Sequence, residues 1–141
     1  MATLLVHEVL ELVKKQTKKE DKIKVLRQHE SWALKDIIRA SMDSKIQFYL
    51  PKGDPPPYTP CEAHNAPSNL LRENKKLTYF VKGGQGDKLP QYKREQVFIG
   101  MLEGVHPDDA KLLVSMINKK TPTGLTRPLV KEAFPGLLQD D

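Results

Sequence analysis

Apolar residues return every three or four positions through most of this chain, and that spacing restricts its elements largely to helices. Across residues 3–15, Leu5, Val6, Val9, Leu12 and Val13 draw one stripe, the face that a helix buries. A second helix is predicted over residues 19–29 with Ile23 and Leu26 inward. A third follows Ser31 as its cap and carries Trp32, Leu34, Ile37, Ile38 and Met42. Short connections favour antiparallel or angled packing of these three. Ser68 is placed to cap a further helix through Leu70, Leu71, Leu77, Phe80 and Val81 that stops at Gly83-Gly84, where left-handed backbone is tolerated. Residues 91–103 carry Val97, Phe98, Met101 and Leu102 on another. Pro107, Asp108 and Asp109 then open a helix to residue 119 that buries Ala110, Leu113, Met116 and Ile117.

The expected fold is all-α, a compact single-domain bundle of about six to seven helices. Residues 46–50 fit a brief strand, a helical end or an extended core plug equally well. After them Pro51, Gly53, Pro55, Pro56, Pro57 and Pro60 forbid regular helix and sheet. This Pro-rich loop, residues 51–67, reads as a spacer inside one domain. At 141 residues the chain is long enough to bury a real core.

Composition narrows the partners. A formal charge of +5 and a pI near 9.3 favour an acidic partner such as nucleic acid. The single Cys61 cannot form an internal disulfide, which fits a reducing cytosol. The first eight residues lack the basic flank and the uninterrupted apolar run of a signal peptide, and no stretch is apolar for long enough to cross a bilayer. A soluble protein with no membrane partner is expected.

Positive charge concentrates in two places. Near the C-terminus, Lys119, Lys120, Gly124, Thr126, Arg127 and Lys131 converge on the start of a short helix that Thr126 caps, Pro128 opens, and Phe134, Leu137 and Leu138 anchor. Unpaired amides and cations together make a phosphate-binding corner, although a cap needs no ligand to be useful. Near the N-terminus, Lys14, Lys15, Lys18, Lys19, Lys22, Lys24 and Arg27 bias the first helical hairpin. Such runs are usually solvated faces; on the same side as the C-terminal corner they would track a phosphate backbone.

Catalytic constellations are weaker. Gly83-Gly84-Gln85-Gly86-Asp87-Lys88 lacks the Ser or Thr after its lysine and follows a helix, so it reads as a helix-stop loop and not a nucleotide loop. Cys61 and His64 have a metal-ligand spacing without a partner pair, and His7, His29 and His106 suit packing or capping roles, so no metal and no cofactor are expected. Glu62 disfavours Cys61 as a nucleophile. Asp108 and Asp109 point in different directions along a helix and serve its dipole better than acid/base chemistry. Tyr58, Tyr79, Tyr92 and Phe98 could stack on bases, but each also has a routine packing role, which the absence of a recognisable single-strand binding module favours.

Residues 9–13 and 22–26, continuing through 34–38 to 46–50, resemble the helical N-terminal DNA-binding domain of bacteriophage-type ATP-dependent DNA ligases. So do Gly124-Leu125-Thr126 with residues 130–137, and His106-Pro107-Asp108-Asp109-Ala110. As a whole the chain is similar to an uncharacterised family of small proteins of tailed bacteriophages, notably those infecting cyanobacteria. The resemblance implies an all-helical fold that grips duplex DNA through its backbone and minor groove. It also implies a phage origin, placing the protein in the cytoplasm of an infected bacterial host or on the virion. Ligases carry their nucleotide on a lysine within Lys-x-Asp-Gly, and this chain contains no Asp-Gly dipeptide, so ligase catalysis is not expected. The expectation is a non-enzymatic accessory protein binding duplex DNA through phosphates at Gly124, Thr126, Arg127 and Lys131, with Lys119 and Lys120 added by charge. The alternative is an adaptor or virion component that docks on a host or phage protein.

Overall fold

The computed structural model describes residues 4–50, 53, 57–122 and 124–138, with Gln85 described by its backbone alone. Met1, Ala2 and Thr3, and Pro51, Pro55 and Pro56 of the predicted loop, lie outside the described residues. Seven α-helices occur among the described residues: α1 (Val6–Lys15), α2 (Lys19–Gln28), α3 (Trp32–Met42), α4 (Leu70–Glu73), α5 (Gln91–Gly104), α6 (Pro107–Ile117) and α7 (Arg127–Ala133). The fold is all-α, as the three- and four-residue spacing requires. Ser31 caps α3 by accepting from the Leu34 amide at 3.1 Å, and Thr126 caps α7 by accepting from the Leu129 amide at 3.3 Å.

Packing follows the stripes. Helix α1 lies on α2, α2 on α7, and α6 lies against α3, α5 and α1. Val13, Leu26, Leu34, Ile37, Ile38, Leu102, Leu113 and Met116 meet in one core and are fully buried. Each such aliphatic side chain contributes roughly 1.5–3 kcal/mol by leaving water. Phe80 and Phe98 close one end edge to face, with ring centroids 5.4 Å apart.

Two local expectations change, and one left open is decided. Trp32 was assigned to the buried stripe of α3 but stands 75% exposed at its first position, ahead of the inward residues. The helix expected after Ser68 is a single α-turn capped by Asn69, which accepts from the Arg72 amide, followed by a 3-10 segment (Asn74–Tyr79). Asn74 donates to Asp36 of α3 at 3.0 Å, tying the change of winding to a neighbouring helix. Residues 46–50 form neither helix nor sheet. They make one antiparallel bridge between Phe48 and Val81, bend at Tyr49 and Leu50, and bury Leu50 as a plug in the core.

The glycine-rich loop is structural. A Cβ on Gly86 would fall 1.8 Å from the Tyr79 carbonyl oxygen, so only glycine fits there. Asp87 Oδ1 accepts from the Gly83 amide at 2.9 Å and from the Tyr49 hydroxyl. The buried Arg94 donates to the Gly86 carbonyl at 2.9 Å and stacks its guanidinium 3.8 Å from the Tyr49 ring centroid. The Tyr49 and Arg94 bonds hold the loop to the body of the protein, and the Gly83 amide closes it on itself. Among the described residues, no helix is long and apolar enough to cross a membrane.

Candidate nucleic-acid interface

The two basic segments of the sequence meet. Helices α1 and α2 are joined by a tight turn at residues 16–18, and five cations stand against two carboxylates over residues 14–22. Lys14, Lys15, Lys18 and Lys19 are exposed there, while Lys22 is half-buried. The half-buried Lys22 reaches across to the C-terminal segment, where its Nζ donates to the Gly124 carbonyl at 3.1 Å. Gly124 has φ +92°, and a Cβ on it would lie 3.1 Å from the Lys14 Cα, so the two backbones touch. Gly124 is therefore required twice, by its left-handed backbone and by the closeness of α1. Thr17, Lys19, Lys22, Gly124, Thr126 and Pro128 line an open groove of about 240 Å³ between them.

Helix α7 is fastened to the same hairpin. Lys19 pairs with Glu132 at 2.7 Å, and Arg27 donates to the carbonyls of Glu132 and Ala133 at 2.9 and 3.3 Å. A cation at the last carbonyls of a helix also meets the negative end of its dipole. Arg27 is thus a capping group for α7 as well as a surface charge.

Two of the residues predicted to bind phosphate have a different neighbourhood. Lys119, expected to project into the corner, turns inward and donates from Nζ to the carbonyls of Ala40, Asp43 and Ile46 at 2.5, 2.7 and 3.0 Å. Arg127 donates to the Met42 carbonyl at 2.9 Å. Both serve the C-terminal end of α3, whose last carbonyls have no helical partner and attract cations. Lys119 also takes a left-handed φ of +57°, the price of turning the chain back after α6. Lys120 is exposed beside it, Lys131 is half-buried in the last turn of α7, and Thr126 is exposed at its start. The corner is thus divided: Gly124 and Thr126 border the lysine turn, while Lys119 and Arg127 knit α7 and the end of α6 to α3.

Sequence reasoning missed a second group of polar side chains, because its members lie at opposite ends of the chain. The His7 ring Nδ1 lies 2.8 Å from Asp109 Oδ1, and the His7 backbone amide donates to the same oxygen at 2.9 Å. His106 caps α6 by accepting from the Asp108 amide at 3.0 Å, and its ring centroid is 4.3 Å from that of His7. The dipole role expected for Asp109 is joined by this link to α1.

Residues 9–123 match a family of unknown function, DUF6433. The chain belongs to that family. The matched residues include the lysine turn, Lys119, Lys120 and the start of α6; Gly124, Thr126, Arg127 and Lys131 follow them in the chain. No curated protein matches the sequence.

Proposed function

We propose that this member of the family binds duplex DNA through its backbone phosphates, without enzymatic activity, as a phage accessory factor in replication, repair or transcription. The observation that carries the reading is the junction of Lys14 and Lys22 with Gly124, which sets the lysine-rich connection of α1 and α2 against the segment that leads into α7. Lys14, Lys15, Lys18 and Lys19 are the contacts, with Gly124 and Thr126 at their border and Lys120 and Lys131 added by charge. Four exposed ammonium groups at and beside the α1–α2 connection suit phosphates but carry no base-reading geometry, so sequence preference is weak. The setting that goes with this reading is the cytoplasm of an infected bacterium. Duplex affinity measured across a salt series tests it: contact with roughly four phosphates gives a log–log slope of about −3 to −4. Micromolar protein without salt-sensitive binding at low ionic strength contradicts it.

The adaptor reading rests on a different observation. An open groove of about 790 Å³ between α3, α4 and the 3-10 segment is lined by Ala33, Ala40, Ile46, Phe48, Leu77 and Val81, with the exposed Trp32 and Leu71 at its edge. An exposed tryptophan beside an apolar groove suits an apolar helix or strand of a phage or host protein. A pull-down with the wild type and with Trp32→Ala separates the readings. A stoichiometric protein lost from the variant supports docking, and recovery of DNA alone speaks against it.

A further inference from the structure

We propose that His7, His106 and Asp108 form a binding site for a divalent transition-metal ion, with Zn2+ the best match, in which Asp109 orients His7. One donor atom from each of the three residues lies within 4.8 Å of the others. His7 Nε2 is 3.9 Å from Asp108 Oδ2. His106 Nδ1, 4.0 Å from the same oxygen, accepts the Asp108 amide, so His106 meets an ion either through Nε2 or by giving up that capping bond. A zinc ion with ligands at about 2.0–2.1 Å needs donors roughly 3.3 Å apart, so the three must close by a modest movement. Asp108 is 56% exposed and free to make it.

The arrangement behind the donors is what distinguishes this cluster from a surface pair of acids. Asp109 is fully buried, and its Oδ1 receives both the backbone amide and the ring Nδ1–H of His7. That bond assigns the proton to Nδ1 and leaves the Nε2 lone pair facing Asp108. A carboxylate behind a histidine is the usual arrangement that fixes the tautomer and raises the basicity of a metal ligand. The second oxygen of Asp109, Oδ2, is buried and has no hydrogen-bond partner among the described residues. An ion on His7 would supply, through the imidazole, the positive charge that this buried carboxylate otherwise lacks. Two imidazoles and one carboxylate select zinc and its neighbours over Mg2+ or Ca2+, which prefer all-oxygen sites.

Access is open. His7 and Asp108 line a groove of about 380 Å³ between α1 and α6, with Lys14, Lys111, Ser115 and Pro122 farther along it. The ion would join the first turn of α1 to the first turn of α6, segments separated by about a hundred residues, and so act as a clamp.

Titration of the metal-free full-length chain with ZnCl2, read by calorimetry and by the His7 and His106 ring nitrogen resonances, tests the site. One ion per chain, a shift of both imidazoles and a rise in Tm are expected. Asp108→Asn should weaken binding at least tenfold. His106→Asn, which keeps a capping oxygen at the start of α6, should do the same while the chain stays folded. Cys61→Ser and His64→Asn should leave binding unchanged. Absence of binding at micromolar zinc overturns the proposal, as does undiminished binding in folded His106→Asn.

Discussion

Lys119 shows how the meaning of a charge depends on what it can reach. On sequence it ends a helix beside other cations and reads as a phosphate ligand; in the fold its ammonium is surrounded by three carbonyls at the end of α3. Hydrogen bonds from a charged donor are worth about 1.5–3 kcal/mol each when removal leaves buried acceptors unpaired, and the three here share one donor. Lys119→Met is therefore expected to destabilise the protein by about 2–4 kcal/mol in urea denaturation. Duplex affinity of the folded fraction should stay close to wild type. A stable variant with lost DNA affinity would restore Lys119 to the interface. Thr126 makes a smaller and cleaner case. Its hydroxyl accepts from the Leu129 amide, so Thr126→Ala should cost about 1 kcal/mol and Thr126→Ser close to nothing. Equal losses in the two variants would remove the capping role.

Among the elements, the loop between the 3-10 segment and α5 depends on protonation. Asp87 is held below the usual carboxylate range, first by the Tyr49 hydroxyl that donates to it and then by the Gly83 amide. Its contribution to stability is present above the unfolded carboxyl range and is lost as pH falls through the lowered folded value. Tyr49 is pushed above the ordinary phenol range, chiefly because the neutral hydroxyl is the form that donates to Asp87. Its contribution is present below the unfolded phenol value and disappears as pH rises through the raised one. Tyr49→Phe should move the Asp87 titration upward, measured by carboxyl carbon shifts. An unmoved Asp87 would assign its depression to the Gly83 amide instead. The same scale shows what the sequence can and cannot specify. Helices α1, α2, α3, α5, α6 and α7 were legible because each repeats its apolar residues at helical spacing, and α3, α5, α6 and α7 also start at a cap or a proline. The segment after Asn69 was not, because Leu70, Leu77 and Phe80 bury equally well on an α-helix or a tighter turn, and Asp36 of a distant helix takes part in the choice. The lysine turn was legible for the same local reason. The fates of Lys119 and Arg127 were hidden because their acceptors lie 73–85 residues earlier in the chain, and the His7–Asp109 link spans 102 residues.

At the scale of the whole molecule, the bundle divides its cations by their work. Lys22, Arg27, Lys119 and Arg127 reach backbone carbonyls of other segments and hold α2, α3, α6 and α7 together. Lys14, Lys15 and Lys18 stay exposed on one turn, and Lys19 beside them keeps only a surface pair with Glu132. A surface pair of that kind is worth at most about 1 kcal/mol and yields readily to a phosphate. The account therefore assigns DNA affinity to the turn and stability to the carbonyl-bound set. The most direct test is the salt dependence of duplex binding by the wild type and by a variant with Lys14, Lys15, Lys18 and Lys19 all changed to Gln. The variant should keep its Tm within a few degrees, lose at least tenfold in affinity at low salt, and show a log–log slope flatter by about 3. A folded variant with wild-type affinity and slope would contradict the assignment.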